Sequence, residues 1–311
     1  MFASWNPAQP EITDLIVRHD PHTLARLPVR KQNVLDVFAA FHNRQAIRAV
    51  EALPSRKGVL DPLEIDRLLV TIHWEMQRLG EEFYHGPRVY ATVSAVISAI
   101  RSSGLTGAIR VVDIGCGIGY TLRWLAARTP LASQGIELVG VDLNSALINE
   151  ANRLVCAEQL PCRFIHGDAF SPDHSGQLYL STGVIHHFRG PALLEFLSRH
   201  RRPETHAFLH FDFQPSFLAP YGSWFFHILR MRTRVARHDG VLSAVRAHTA
   251  ETLVQAARSA APEFASGMVG VKIWNTPLPR VFHTLIGVRR ALLAGLKTHF
   301  GPLASRLGEL K

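Results

Sequence analysis

Apolar side chains recur every three or four positions over roughly the first hundred residues, which is the spacing of one buried helix face. One such stripe is formed by Val34, Leu35, Phe38 and Phe41. A further helix is predicted over residues 88–103, where valines and isoleucines keep the same spacing up to a glycine. The pattern therefore predicts a helical N-terminal region over residues 1–104, which we expect to cap the rest of the chain and to help select the substrate.

A helix start is marked at Asp61, which is followed by Pro62 and, three positions on, by Glu64. Asp61 can accept hydrogen bonds from the first turn, Pro62 suits the first helical position, and Glu64 can reach back to close a capping box. This helix is predicted to run to about Leu79. The polar segment 53–58 before it contains proline and glycine and is predicted to interrupt the helical region.

From residue 109 onward, short apolar runs alternate with helical segments, which indicates a parallel sheet covered on both faces. Strands are predicted at 109–114, 137–142, 163–166, 177–181, 206–212, 267–274 and 280–287. Helices are predicted near 119–128, 145–158, 190–200 and 249–260. Only residues 275–279 separate the last two strands, too few for a helical crossover, so that pair is predicted to be antiparallel. The fold class is therefore α/β, with a seven-stranded, mostly parallel sheet in a domain over residues 105–311.

Composition supports a folded protein and adds a weak indication of partners. Apolar residues make up 47% of the 311 positions and charged residues 19%, so the chain lacks the low hydrophobicity and high charge of a disordered protein. Lysine and arginine outnumber acids by 34 to 25, which gives a net charge of +9 and favours anionic partners.

The cysteines Cys116, Cys156 and Cys162 form no C-x-x-C pair and are odd in number. This argues against a disulfide framework and against a cysteine zinc site, and it favours a reducing cytoplasm. The N-terminus has neither a basic nor an apolar signal region, and no stretch approaches the roughly 18 apolar residues of a membrane span. We therefore predict a soluble, unprocessed cytoplasmic protein. Because no cluster of oxygen ligands is recognisable, no metal is predicted.

The strongest chemical signal is the segment 110–120, an apolar strand that runs into Gly115, Gly117 and Gly119 and then into a helix. Glycines let the backbone turn tightly and approach a ligand at the helix N-terminus. The dinucleotide fingerprint needs glycine or alanine where this chain has Tyr120, and no phosphate-binding P-loop motif is present. Nicotinamide and nucleoside triphosphate chemistry therefore lose their main support.

Asp113-Ile-Gly-Cys-Gly-Ile-Gly119 resembles motif I of the class I, Rossmann-like S-adenosylmethionine-dependent methyltransferases. Three later segments resemble the family's next motifs in order: 138–142 ends in an acid, 164–170 contains another, and 178–188 ends in His-His-Phe. The resemblance spans roughly residues 84–290. It implies S-adenosylmethionine as cofactor and methyl transfer as the reaction.

The resemblance also implies roles for particular residues. Asp142 would accept hydrogen bonds from the ribose hydroxyls, and Asp168 would contact the adenine amino group. A carboxylate at the carboxyl end of a strand supplies the bidentate acceptor that an uncharged ribose edge needs, although such an acid can also simply cap the next helix. The predicted cofactor-binding residues are Tyr84, Arg88, Asp113, Gly115, Cys116, Gly117, Gly119, Asp142, Leu143, Asp168, Ala169, Ser181 and Thr182. For Tyr84 and Arg88, the alternative is an exposed, charged helix start.

His186 and His187 follow the fourth strand and are the candidate catalytic residues, because histidine has the pKa that best suits removal of a proton near neutral pH. One of them would orient the acceptor or take its proton; the alternative is that it packs against the sheet. His210 and Asp212 lie two positions apart on the fifth strand, so they share one face. They form either a pair in the pocket or a buried structural hydrogen bond.

The insertion at about 213–245 is aromatic and then basic. Three interpretations stay open: a lid over an apolar acceptor, an amphipathic surface that leans on a membrane, or a core helix with Arg230, Arg232, Arg234 and Arg237 in solvent. The segment 289–311 is also apolar and basic, with no specific role.

The leading hypothesis is methyl transfer to a small apolar or aromatic metabolite. The net charge of +9 raises the alternative of an RNA methyltransferase. However, the fourth-strand segment lacks the Asn/Asp-Pro-Pro-aromatic signature of base-amine methylation, and no RNA-binding module precedes the sheet, so nucleic acid is an unfavoured partner. A non-catalytic protein that binds S-adenosylmethionine is the third alternative. The sequence does not indicate the oligomeric state.

Overall fold

The computed structural model describes residues 6–128, 134–270 and 281–300. These residues divide into two compact units. The first comprises residues from 1–79 and 215–247, and the second comprises residues from 80–214 and 248–311. The predicted boundary near residue 104 lies inside the second unit, and the predicted insertion falls almost wholly in the first.

The helices follow one another in the order α1 (Ile12–Ile16), α2 (Lys31–Ala40), α3 (Arg44–Glu51), α4 (Pro62–Glu82), α5 (His85–Ser102), α6 (Tyr120–Ala126), α7 (Ser145–Glu158), α8 (Pro191–Ser198), α9 (Ala219–Arg230), α10 (Arg234–Arg246), α11 (Ala250–Ala260) and α12 (Leu293–Phe300). The strands are β1 (Arg18–His19), β2 (Arg26–Leu27), β3 (Ser55–Arg56), β4 (Val59–Leu60), β5 (Ile109–Ile114), β6 (Ile136–Asp142), β7 (Cys162–His166), β8 (Leu178–Thr182), β9 (Ala207–Phe213), β10 (Phe264–Val269) and β11 (Phe282–Arg289). No helix among the described residues is both long enough and apolar enough to cross a membrane.

The first unit is mainly helical, with two short hairpins that the apolar pattern did not predict. On α2, Val34 and Phe38 of the predicted stripe are buried. The polar segment 53–58 does interrupt the helices, but it forms part of the hairpin β3–β4, whose turn holds Lys57 and Gly58 at positive φ. A second hairpin, β1–β2, precedes α2.

The predicted start of α4 is confirmed, whereas the predicted capping box is only half formed. Asp61 Oδ1 accepts the backbone N–H of Leu63 at 3.1 Å. The reciprocal contact is absent among the described residues, because the Asp61 N–H donates to the carbonyl of Pro54 at 3.0 Å and Glu64 pairs with Arg67. The helix continues three residues beyond Leu79, to Glu82.

Helices α9 and α10, which form the predicted insertion, pack with N-terminal elements of the first unit. Asp239 on α10 accepts the backbone N–H groups of Ile12 at 2.8 Å and Thr13 at 2.9 Å, so it satisfies the start of α1. The buried Glu75 on α4 accepts the N–H of Arg232, between α9 and α10, at 2.8 Å. The insertion is therefore a structural part of this unit.

The second unit is built on a seven-stranded sheet with the order β10-β11-β9-β8-β5-β6-β7. Neighbouring strands from β7 to β9 run parallel, and β11 pairs antiparallel with both β9 and β10. This confirms the predicted fold class and the antiparallel last pair. β10 begins three residues before its predicted start, and the connector 275–279 lies outside the described residues.

Helices cover both faces of this sheet, as predicted. On one face, buried side chains of α5, α6, α7 and α12 pack on the strands. On the other face, buried side chains of α8 and α11 pack on the alternate strand positions. Since α5 contributes Val89, Val93 and Val96 to the first of these cores, it belongs to the sheet unit.

Candidate active site

The turn after β5 has a conformation that favours glycine at three positions. Gly115, Gly117 and Gly119 all have positive φ, at 63°, 55° and 77°. The N–H groups of Gly115 and Cys116 donate to the carbonyl of Val141 on β6, at 2.9 and 3.2 Å. The predicted glycine turn is therefore tied to the end of the neighbouring strand.

Two glycines also lie directly against the ring of Phe164 on β7. A Cβ atom added to Gly119 or to Gly140 would overlap this ring. The glycines thus let the turn, β6 and β7 approach one another, as the predicted cradle requires.

Asp142, at the end of β6, is held by two backbone N–H groups. Its Oδ2 accepts the N–H of Gly117 at 2.9 Å, and its Oδ1 accepts that of Asn144 at 2.8 Å. The cap of α7 is Asn144, whose side chain accepts the N–H groups of Ala146 and Leu147. Asp142 is therefore not needed as the helix cap, and each of its oxygens has a further lone pair that can accept a hydroxyl.

Asp113, at the end of β5, is a buried acid whose pKa is raised well above its ordinary value, first by burial and then by the charge of Asp142. Its Oδ1 has no hydrogen-bond partner within the described ranges. Burial also raises the pKa of the neighbouring Cys116 thiol, so this thiol stays neutral and behaves as a small apolar side chain. Among the described residues, Oδ1 of Asp113 is thus available to a hydrogen-bond donor of a bound ligand.

Asp168 has protein partners for both of its oxygens. Its Oδ1 accepts the N–H of Phe170 at 2.9 Å, and its Oδ2 accepts a hydrogen bond from Arg199 at 2.5 Å. The Arg199 guanidinium lies 4.6 Å from the centre of the Phe170 ring. Ala169 is buried, whereas Leu143, which follows Asp142, exposes its apolar side chain.

Two of the predicted residues, Ser181 and Thr182, lie on β8, and Ser181 points to the face of the sheet that carries His210. Its hydroxyl pairs with His210 Nδ1 at 2.9 Å, and both residues are fully buried. Thr182 faces the opposite side of the sheet, where its hydroxyl lies 3.2 Å from Nε2 of His85. Burial, together with Arg88, lowers the pKa of His85 to about 4, so this imidazole is neutral.

Tyr84 and Arg88 have different environments at the start of α5. Tyr84 is exposed and precedes the helix in a left-handed conformation, with φ 52° and ψ 41°. Arg88 is buried, so the alternative of an exposed, charged helix start is wrong for this residue.

His186 forms a buried pair with Asp212, an arrangement that the sequence did not predict. His186 Nδ1 lies 2.8 Å from Asp212 Oδ1, and the backbone N–H of His186 donates to Asp212 Oδ2 at 2.9 Å. Burial alone would raise the pKa of Asp212, but His186 and the hydrogen bonds lower it overall. The carboxyl therefore stays ionised and holds the imidazole in one orientation.

The predicted relation between His210 and Asp212 is confirmed in part. Both side chains lie on the same face of β9, but His210 pairs with Ser181 and Asp212 pairs with His186. Adjacent strands β8 and β9 run parallel, so their carboxyl ends meet at one sheet edge. This adjacency was the signal that could have paired Asp212 with His186.

The His186 turn also lies beside the glycine turn. The side chain of Val184 would be 3.0 Å from a Cβ atom placed on Gly115. The ring of the half-buried His187 lies 4.3 Å from that of His186, and His248 bonds to the carbonyl of Phe188 at 2.8 Å. The structure thus brings the predicted catalytic histidines and the glycine turn to the same edge of the sheet.

Residues 111–203 match the model of a family described as a methyltransferase domain. This segment is a methyltransferase domain. The match, together with the seven-stranded and mostly parallel sheet, confirms the prediction of a class I methyltransferase. The prediction that the protein is an enzyme is likewise confirmed.

Several solved structures resemble the methyltransferase. The plantazolicin methyltransferase BpumL in complex with SAH is 15% identical, with 73% of this chain and 96% of that chain covered and a TM-score of 0.49. Magnesium protoporphyrin IX methyltransferase from Synechocystis PCC 6803 with bound SAH is 16% identical over 83% of this chain and 99% of that chain, with a TM-score of 0.41. A SAM-dependent methyltransferase from Aquifex aeolicus is 14% identical over 61% and 87%, also with a TM-score of 0.41. A comparison with curated protein sequences found no match.

Proposed function

We propose that this methyltransferase methylates an oxygen or nitrogen atom of a small apolar or aromatic metabolite, with His186 as the proton acceptor and Asp212 as its positioning residue. The observation that carries this proposal is the buried hydrogen-bonded pair of His186 and Asp212, at the sheet edge that also holds the glycine turn. An acceptor of this kind carries a proton at neutral pH, so its methylation needs a base.

The donor would lie against the glycine turn. Asp142 would accept the two ribose hydroxyls through lone pairs that the backbone N–H groups leave available. The exposed apolar side chain of Leu143 would pack against the adenine, and Asp113 would face the cationic end of the donor. Gly115, Gly117 and Gly119 admit the donor because they place no side chain on the turn.

When bound, S-adenosylmethionine supplies a methyl group that its sulfonium already activates, so the protein must chiefly position the acceptor and remove its proton. His186 donates from Nδ1 to the ionised Asp212, which leaves Nε2 as the nitrogen that takes the proton. The carboxylate then stabilises the imidazolium that forms. His187, beside His186, would orient the acceptor.

The test replaces Asp212 by asparagine, which keeps the size of the side chain and removes its charge. With isotopically labelled donor and a fractionated extract of the source cells, the labelled product identifies the acceptor. D212N is then expected to lower kcat by about a hundredfold, because a positioned base contributes about that factor or more. Its affinity for S-adenosylhomocysteine, measured by calorimetry, should stay unchanged.

The pH profile separates a base from a structural contact. In the native enzyme kcat should rise with pH because a base must be unprotonated to act, and H186Q should abolish that rise. H200N is a matched control, because His200 is another buried histidine on the same side of the sheet, and its described contacts are with Leu197 and neighbouring rings rather than with the pair. An unchanged kcat in both D212N and H186Q would refute the proposed base.

The net charge of +9 is the one observation that favours an RNA acceptor instead. Filter binding of the enzyme to total RNA over a range of salt concentrations tests this candidate. Salt-dependent retention, together with transfer of label to RNA, would replace the metabolite by RNA as the acceptor.

A further inference from the structure

We propose that helix α9 of the first unit binds the surface of an anionic lipid bilayer, with its axis along the surface. This inference does not depend on the identity of the methyl acceptor. It concerns the segment for which the sequence left a lid, a core helix and a membrane-facing helix as open interpretations.

One face of α9 and of the residue before it is apolar and exposed. Its members recur three or four positions apart, so at about 100° per residue they cover an arc of about 100°. They are Leu218, Tyr221, Phe225, Ile228 and Leu229. Phe225 is 63% exposed and Leu229 65% exposed, and Phe217, just before the helix, is 83% exposed. A contiguous apolar patch of this kind marks an interaction surface rather than a core helix.

The opposite face holds the helix in its unit. His227 is buried, and the hydroxyl of Ser223, on the same face, donates to the carbonyl of Gly240 on α10 at 2.7 Å. A Cβ atom on Gly240 of α10 would overlap the His227 ring, which shows how closely the two helices pack. On the exposed side, a Cβ atom on Gly222 would meet nothing within 4 Å. The apolar face is therefore not used to fold α9 against α10.

The charge around this face indicates which partner covers it. Residues 215–238 contain four arginines and no aspartate or glutamate. Arg232 and Arg234, just beyond the helix, are exposed. An apolar helix face with basic residues at its border is complementary to a bilayer that carries anionic headgroups. A second copy of the same face would instead bring arginines toward arginines.

The length of α9 suits a position in the interface. Twelve residues extend about 18 Å at the rise of an α-helix, which is less than the thickness of a bilayer core. The helix would therefore lie in the headgroup region, with its aromatic side chains inserted and its arginines at the phosphates.

The experiment measures sedimentation of the full chain with vesicles of phosphatidylglycerol and phosphatidylcholine. The native chain should bind vesicles that contain phosphatidylglycerol, more weakly at high salt, and should not bind pure phosphatidylcholine to the same extent. The double variant F225S/L229S should need about a hundredfold more lipid for half-saturation, given the apolar area that it withdraws. The charge variant R232Q/R234Q should bind about tenfold or more weakly and lose most of the salt dependence.

L63S is the matched control, because Leu63 is a 66% exposed leucine on α4 of the same unit, outside this face. It should bind vesicles like the native chain. Circular dichroism and thermal unfolding of all variants establish that they are folded. The proposal is overturned if the native chain ignores anionic vesicles, or if L63S weakens binding as much as F225S/L229S. It is also overturned if ultracentrifugation shows a dimer that F225S/L229S dissociates, since the face would then bind a second copy.

Discussion

Acidification should destabilise this methyltransferase through His200, a fully buried histidine at the end of α8. Its ring lies among aromatic rings, 5.0 Å from Phe170 and 4.9 Å from Phe208. Nδ1 is 3.1 Å from the carbonyl of Leu197, whereas Nε2 has no partner in the described part of the chain. Burial therefore lowers the pKa of His200 to about 3, even though its backbone hydrogen bonds act in the opposite direction.

The direction and size of the effect follow from linkage. The unfolded chain protonates His200 near its ordinary pKa of about 6.5, whereas the folded chain does so only near pH 3. The stabilising contribution of the neutral ring is thus complete above about pH 6.5 and decreases as the pH falls toward 3. Between about pH 7.5 and about pH 5 it amounts to about 2 kcal/mol.

The measurement is urea unfolding of native protein and H200N at the two pH values. Asparagine keeps a donor for the carbonyl of Leu197 and cannot be protonated, so the variant should lose about 2 kcal/mol less stability on acidification than the native protein. Other buried histidines titrate in the same range, and the difference between the two proteins removes their contribution. H22N, at an exposed histidine, is the control. Equal acid sensitivity of native protein and H200N would refute the reasoning.

Three further predictions concern the glycine turn and its surroundings. G119A should lower the free energy of unfolding by about 2–5 kcal/mol in urea titrations, because the new methyl group overlaps the Phe164 ring and residue 119 has a positive φ. An unchanged midpoint of urea unfolding would contradict the close packing of Gly119 against Phe164. D142A should lower the affinity for S-adenosylhomocysteine by about a hundredfold or more in calorimetry, and D142N by less, because asparagine keeps one oxygen acceptor; native affinity in D142A would exclude a ribose contact. Y84G should raise the melting temperature slightly by relieving the left-handed backbone and should weaken binding of S-adenosylhomocysteine; unchanged binding would remove Tyr84 from the proposed donor site.

The sheet and the glycine turn could be predicted from sequence because their signals are local. A strand, a glycine turn and a helix follow one another within residues 109–126, and each glycine has a conformational reason to be glycine. Asp142 lies at the end of β6, and β6 pairs with β5, the strand that leads into that turn. The boundaries of β5 to β9 lie within one residue of the predicted ones, whereas β10 both begins and ends earlier than predicted.

The proposed acceptor side depends on contacts between residues that are distant in sequence. Asp212 and His186 lie on neighbouring strands, and their pairing depends on the register of β8 and β9. The two-residue repeat of a β-strand correctly placed His210 and Asp212 on one face of β9. This alternation alone does not indicate which side chain on the neighbouring strand each of them contacts. The two hairpins of the first unit were missed because strands of two residues are too short for any periodic signal.

Asp168 shows how a role implied by resemblance can be reconciled with the contacts in this chain. Each carboxylate oxygen has two lone pairs, and Oδ1 uses only one of them for the N–H of Phe170 among the contacts described. An adenine amino group could therefore donate to Oδ1 while Arg199 keeps its hydrogen bond to Oδ2. In that arrangement Arg199, supported by the Phe170 ring, holds the carboxylate in place before the donor arrives. Pre-orientation of this kind lowers the entropy lost on binding, so the ion pair and the proposed adenine contact support each other.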